Sequence, residues 1–243
     1  MPDLAPALGP GRSRPPARRL GRSLLFALAF ATLAPWSVSA AGYTSTAATV
    51  VPQIRTVDVN LYRAGSVAYQ YTNYWCVPAN AQTMLNIVNR TTDRTYHTQA
   101  RYAWHVNQLN RYDYATKGND VGGWAAFLDL WIADAWHYRD HSYDSRSAAI
   151  AAMVESIDRT HHPIGIVVDN GTHAWTVLGY RATMVRGSTK KTVVGLYVSG
   201  SLAGTDPRPY RYYTLAQFAT RYTRYHEWQR TVIWEGKYVI VSE

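Results

Sequence analysis

Apolar residues recur at helical spacing over the first hundred residues after position 60. One stripe follows Cys76 on a single helix face, and a second follows a Gly-Gly pair at spacings of three and four. The two stripes are Val77, Ala81, Met84, Leu85 and Val88, and Trp124, Phe127, Leu128, Trp131 and Ile132. Two more helices are predicted, one over 98–109 with Thr98 as its cap and one around 150–157. This part of the chain is therefore predicted to be helical.

From Pro163 onward the pattern changes to short apolar or alternating runs, which predict strands separated by turns. The predicted strands are 164–168, 173–180, 192–198, 231–234 and 237–241. The last two flank Glu235-Gly236, which is typical of a two-residue hairpin. A Thr214-x-x-Gln217 capping box predicts one short helix among them. Helices first and an antiparallel sheet second predict an α+β fold.

The first 40 residues predict an export signal. Five arginines between positions 12 and 22 precede an apolar run over 24–33, and Val38-Ser39-Ala40 supplies a small-residue cleavage site. The apolar run is too short to span a bilayer with margin. We therefore expect cleavage near Ala40 and a secreted protein without a membrane span. Residues 41–60 are predicted as an extended lead-in and 61–243 as the folded domain.

Charge gives only weak information about partners. The 203 residues after the signal carry 20 basic and 15 acidic side chains, a net charge of +5, which does not favour nucleic acid as a partner. Arginine and tyrosine alternate over 210–213 and 221–225, a pattern compatible with binding an acidic polymer by charge and stacking. The same pattern also fits a solvated face on which arginine stems pack against tyrosine rings.

Cys76 is the only cysteine, so no disulfide can form within the chain. A lone cysteine is most often a small buried hydrophobic residue. In an oxidising compartment, however, an unpaired thiol is a liability unless it is buried or used. Cys76 stands at a predicted helix N-terminus, with Pro78 in the first turn, where the helix dipole stabilises a thiolate. We therefore expect a lowered thiol pKa and rapid alkylation at pH 6.

A thiol nucleophile needs an imidazole, and His173 is the best placed of the eight histidines because it opens a strand after a tight turn. The alternative for His173 is a structural role at the sheet end. His161 and His162 precede a proline at a helix end, which predicts a solvent-facing position. His137 and His141 have the spacing of a zinc pair, but Tyr138 stands where a metalloprotease needs glutamate, so we predict no metal site.

These residues resemble the papain-like cysteine peptidases. Gln70 lies six residues before Cys76, and the strand beginning at His173 reads His-Ala-Trp-Thr-Val-Leu-Gly-Tyr. The compact spacing is most similar to the branch typified by bacteriocin-leader peptidases and their secreted bacterial relatives, over roughly residues 61–241. Val77 replaces the usual glycine after the cysteine. The resemblance implies helices packed on a C-terminal antiparallel sheet, with Gln70 and the Cys76 N–H forming an oxyanion hole.

The resemblance also implies a function, a secreted peptidase that works through an acyl-enzyme and needs no cofactor. Cys76 would attack and His173 would act as base and then acid. Asp206, held extended by Pro207, would orient the imidazole, with Ser199 as the alternative orienter. We expect a monomer acting on a peptide or protein. Two other interpretations stay open: a cell-wall peptide hydrolase or amidase, although the Asp-Cys-Ser-Gly signature of the common ones is absent, and a catalytically idle binding module.

Overall fold

A computed structural model describes residues 52–113, 118–132, 137–200, 208–228 and 231–243. Within these residues the chain forms five α-helices: α1 (Cys76–Val88), α2 (Tyr96–Gln108), α3 (Val121–Trp131), α4 (Arg146–Thr160) and α5 (Leu215–Ala219). It also forms seven strands: β1 (Ile54–Asn60), β2 (Arg139–Tyr143), β3 (Ile164–Val168), β4 (His173–Val185), β5 (Lys191–Gly200), β6 (Arg211–Thr214) and β7 (Tyr238–Ser242). The α+β prediction is confirmed.

All seven strands join one antiparallel sheet, built around β4. The order is β2-β7-β3-β4-β5-β6, and β1 pairs with the C-terminal half of β4 where β3 pairs with its N-terminal half. The backbones of β1 and β4 approach so closely that a Cβ on Gly179 would lie 2.0 Å from the Val59 carbonyl oxygen. Residues 54–60, predicted as part of the extended lead-in, therefore belong to the sheet.

Each face of the sheet carries its own hydrophobic core, because successive strand side chains point to opposite faces. Val167 on β3 packs among the apolar residues of α1, α2 and α3. Its neighbours Ile166 and Val168 pack on the other face with α4 and α5. Trp124 of α3 lies flat against β3, where a Cβ on Gly165 would come within 2.5 Å of its ring. Because α1 contributes to the same core as Val167, it packs against the strands that carry the candidate site.

The structure differs from the sequence prediction at the start of α2 and at the C-terminus. Helix α2 begins at Tyr96 rather than 98, because Thr95 is the cap and its hydroxyl accepts from the Thr98 N–H. The predicted C-terminal hairpin is wrong. Residues 233–236 form turns, and β7 pairs with β2 and β3 instead of with 231–234. The run over 231–234 is apolar because Val232 and Trp234 fill the core beneath α3.

The His137 and His141 pair does not share a helix face. His141 lies on β2, a strand that the sequence pattern did not reveal, and His137 precedes it with Nδ1 3.0 Å from Asp129 Oδ1. Across the described ranges, no group of three or more His, Cys, Asp or Glu side chains is arranged to hold a metal ion. No helix in the described ranges is long and apolar enough to cross a membrane.

Candidate active site

Cys76 and His173 line one cavity of about 260 Å³. Each is the first residue of its element, Cys76 of α1 and His173 of β4. The cavity is completed by residues before the helix, by the start of α3 and by the loop after α5: Asn73, Tyr74, Gly118, Asn119, Val121, Gly171, Thr172, Tyr225, His226, Glu227 and Trp228. Two elements far apart in sequence thus bring the predicted nucleophile and the predicted base to the same opening.

Backbone N–H groups surround the Cys76 sulfur. Helix α1 begins after Trp75, which offers no side-chain cap, so the first N–H groups of the helix have no side chain to satisfy them. The N–H groups of Ala174, Val77 and Cys76 itself form hydrogen bonds to the sulfur. The strand that carries His173 therefore also supplies a donor to the thiol, through the very next residue.

Asn80 fastens helix α1 to strand β4. It is 1% exposed, and its Nδ2 donates both to the Cys76 carbonyl and to the Ala174 carbonyl, each at 2.8 Å. Its Oδ1 accepts from the Thr176 hydroxyl, also at 2.8 Å. One buried amide thus fixes the first turn of the helix against the first residues of the strand. Sequence reasoning missed Asn80, although a polar residue four positions after Cys76 on an apolar helix was a usable signal.

Cys76 is partly buried, and the loss of water around its sulfur bears on the pKa of the thiol. It raises the pKa of Cys76 above its ordinary value, and the three N–H groups that lower this pKa do not fully offset the effect. The prediction of a lowered thiol pKa is therefore wrong for the resting site. The dipole at the start of α1 acts in the predicted direction, but the loss of water around the sulfur is the larger effect.

Burial also lowers the pKa of His173, with Asp169 acting to raise it and Arg221 to lower it further. An imidazole with a lowered pKa is neutral at pH 7, as is a thiol with a raised one. The resting pair is therefore a thiol and a neutral imidazole rather than an ion pair.

The turn before His173 has an unusual backbone and is firmly held. Asp169, Asn170 and Gly171 have φ values of 53°, 60° and 88°, three left-handed residues in succession. The Asp169 carboxylate accepts two hydrogen bonds from the Arg221 guanidinium, at 2.7 and 2.6 Å. The backbone N–H of Asp169 donates to the Arg221 carbonyl at 2.8 Å. The Asn170 N–H donates to the Thr223 hydroxyl at 2.7 Å. A turn of this kind aims His173 into the cavity at some cost in backbone strain.

His173 Nε2 is buried and has no hydrogen-bond partner within the described part of the chain. The alternative orienter, Ser199, donates its hydroxyl to the Pro209 carbonyl at 2.8 Å. Asp169, in the turn just before His173, is held by Arg221. Asp206, the predicted orienter, lies outside the described residues.

A second imidazole, His226, lines the same cavity, and the sequence pattern did not single it out. Its Nδ1 lies 2.5 Å from Glu235 Oε1, and the other carboxylate oxygen accepts from the Glu227 N–H at 2.8 Å. These contacts, the backbone one first, lower the pKa of Glu235 and keep it charged. The backbone N–H of His226 donates to the Asn170 carbonyl at 3.1 Å, so this loop also supports the turn before His173.

Gln70 is not among the described residues that line the cavity. Its side-chain Nε2 donates to the Thr72 carbonyl at 2.9 Å, at the mouth of a neighbouring groove. Its role as an oxyanion donor stays a prediction.

Comparison with known protein families and with curated protein sequences gave no match to this chain. The geometry of the site therefore has to support a function by itself.

Proposed function

We propose that this chain is a secreted cysteine peptidase of papain-like architecture. The observation that carries the proposal is the meeting of Cys76 and His173 in one cavity, with Asn80 tying together the two elements that bear them. A structural cysteine would need neither a neighbouring imidazole nor N–H groups from two elements on its sulfur. The sequence order of nucleophile, then base, agrees with the papain-like resemblance.

A resting pair of thiol and neutral imidazole favours general-base catalysis. As the Cys76 sulfur attacks a peptide carbonyl carbon, neutral His173 takes the thiol proton, and the carbonyl oxygen becomes an oxyanion facing the N–H groups at the start of α1. His173 then gives that proton to the leaving amine as the C–N bond breaks. Water, deprotonated by His173, attacks the thioester, and the proton returns to the sulfur as the acid leaves.

A second candidate function is a catalytically idle binding module. A catalytic imidazole normally needs an acceptor, and His173 Nε2 has none among the described residues, while the predicted acceptor Asp206 lies outside them. Whether His173 has such an acceptor therefore separates the two candidates. Under this alternative the cavity would bind a peptide without cleaving it.

A fluorogenic peptide library separates the two candidates. The purified chain without its first 40 residues should cleave a subset of the library, and Cys76→Ala should cleave none while keeping the same melting temperature. Mass spectrometry after a brief incubation with an ester substrate should detect an acyl adduct on Cys76. Binding of library peptides without turnover or adduct would overturn the peptidase and favour the binding module.

A further inference from the structure

A groove of about 540 Å³ adjoins the Cys76 cavity, and Tyr74 and Asn119 line both. We define the aromatic groove by its lining residues, Thr72, Tyr74, Trp75, Ala103, Trp104, Asn107 and Asn119. Its walls come from the segment just before α1 and from the last turns of α2. A substrate held at Cys76 can therefore extend into this groove without leaving the protein surface.

The side chains of the groove point to an apolar occupant. Tyr74 and Trp104 are 56% and 60% exposed, an unusual amount of aromatic surface to leave in water. Trp75, the third ring that lines the groove, packs against Tyr96 with ring centres 5.3 Å apart. No Asp, Glu, Lys, Arg or His is among the described residues that line the groove. A charged group entering it would lose water without gaining a partner.

Two of the polar residues that line the groove, Asn107 and Thr72, already have partners within the protein. The Asn107 amide lies 3.4 Å from the Gly118 carbonyl, the Thr72 hydroxyl accepts from the Tyr74 N–H at 3.4 Å, and the Thr72 carbonyl accepts from Gln70. A sugar ring can stack on tryptophan, but it also needs several hydrogen-bond partners for its hydroxyls. These contacts favour a hydrocarbon or aromatic side chain over a glycan.

We infer that the aromatic groove is the specificity site, which binds a large uncharged side chain of the peptide substrate, aromatic or long aliphatic, close to the bond held at Cys76. The inference rests on the proposed function for the identity of the substrate, but the groove can be tested without any hydrolysis. A volume of about 540 Å³ lies within the range of small-ligand pockets and accommodates one such side chain. Trp104 is the residue that determines the preference.

The test uses alkylating probes that need only the thiol. Bromoacetyl-phenylalanine amide, bromoacetyl-glycine amide and bromoacetyl-glutamate amide all react by the same step. The sulfur forms a bond to the methylene carbon, bromide leaves, and the thiol proton passes to the base. Iodoacetamide, which has no side chain, measures the intrinsic reactivity of Cys76 in each variant. The preference is the ratio of the phenylalanine to the glycine rate constant, and the iodoacetamide rate shows separately whether a variant has changed the thiol itself.

We expect a preference of about 10- to 200-fold for phenylalanine, and no gain for glutamate. Trp104→Ala should bring the ratio close to one. Leu130→Ala is the matched control, because Leu130 is an equally apolar, 71% exposed residue on α3 outside both openings, and it should leave the ratio unchanged. A ratio near one in the unmodified protein, or a ratio that survives Trp104→Ala, would overturn the inference.

The same probes keep the two proposals distinguishable. Selective alkylation without any peptide cleavage would support the groove and contradict the peptidase. Cleavage of library peptides with no side-chain preference would support the peptidase and contradict the role of the groove. Protection of Cys76 from iodoacetamide by an N-acetylglucosamine oligomer, together with a phenylalanine ratio near one, would overturn the inference in favour of a glycan site.

Discussion

Two histidines line the same cavity, one from a central strand of the sheet and one from an irregular loop. His173 opens a strand of 13 residues in the middle of the sheet, next to the residue whose N–H reaches the Cys76 sulfur. His226 lies on an irregular loop after α5, and its imidazole is oriented by the Glu235 carboxylate. A catalytic imidazole needs both closeness to the nucleophile and a carboxylate or amide behind it. Within the described residues these two properties belong to different histidines.

The comparison shows why a search for a histidine beside an acid is a poor guide here. Of the two histidines at this cavity it would choose His226, whose partner Glu235 lies nine residues away in sequence. The architecture favours His173, because Asn80 and the Ala174 N–H fix its strand to the nucleophile. We therefore assign the proton transfer to His173 and a supporting role to His226, and the two can be separated by substitution.

The largest expected effect is on turnover by His173→Gln. Losing the general base should reduce kcat/KM on the best library peptide by about 10²- to 10⁴-fold. His226→Gln should reduce it by less than about tenfold, since it removes only part of the cavity wall and leaves the backbone N–H that bonds to the Asn170 carbonyl in place. If His226→Gln is the more damaging change, the assignment is reversed and His226–Glu235 is the catalytic pair.

Asn80→Ala should affect both stability and turnover, because it releases the wall that bears Cys76 and His173. It leaves two buried carbonyls and one hydroxyl without their partner, which we expect to cost about 1–3 kcal/mol of unfolding free energy. Thr83→Ala is the matched control on the same helix. Thr83 is equally buried and bonds to Ala68 and Ala79, away from the cavity.

Both variants should unfold at lower denaturant concentration, measured by circular dichroism in urea. Only Asn80→Ala should also slow turnover under conditions in which it is fully folded. Equal kinetic effects would mean that Asn80 supports the fold and does not position the nucleophile.

The pH dependence of alkylation tests whether the Cys76 thiol is protonated in the resting site. With the thiol pKa raised, Cys76 is protonated at pH 6, so iodoacetamide should react more slowly with the native chain than with the urea-unfolded chain at that pH. The native rate should still be rising at pH values where the unfolded thiol has already titrated. A native rate above the unfolded rate at pH 6 would show an activated thiolate and restore the ion-pair description.

The sequence predicted most of the helices and the strand that begins at His173, since these rest on local periodicity. The common location of Cys76 and His173 was expected from the need of a thiol for a base and from the papain-like resemblance. It did not predict β1 or β2, because their sequences, rich in polar residues, pair along the sheet without an apolar run of their own. The prediction of a C-terminal hairpin was wrong because Trp234 packs in the core with α3 and does not lie in a strand. These are tertiary effects that no short window contains.

The chemistry of the site was less predictable than its location. The position of Cys76 at a helix N-terminus indicated a lowered pKa, but its burial depends on β4 and the 225–228 loop, which lie at least 97 residues away along the chain. The same is true of Asn80, whose partners Ala174 and Thr176 come from that strand. Desolvation and buried hydrogen bonds are set by the assembled fold and not by neighbours in sequence.

The smallest expected effect concerns the turn before His173, where Asp169 and Arg221 act on the imidazole in opposite directions. Arg221 lowers the pKa of His173 and Asp169 raises it, so removing one partner leaves the other uncompensated. Arg221→Gln should therefore shift the acidic limb of kcat/KM toward higher pH, and Asp169→Asn should shift it toward lower pH. Because both side chains are partly exposed, activity at the plateau should change by less than about fivefold. Glu235→Gln is the control from the other wall and should leave the acidic limb in place. A limb that moves with Glu235→Gln and stays fixed with Arg221→Gln would show that His226, not His173, is the group titrating in turnover.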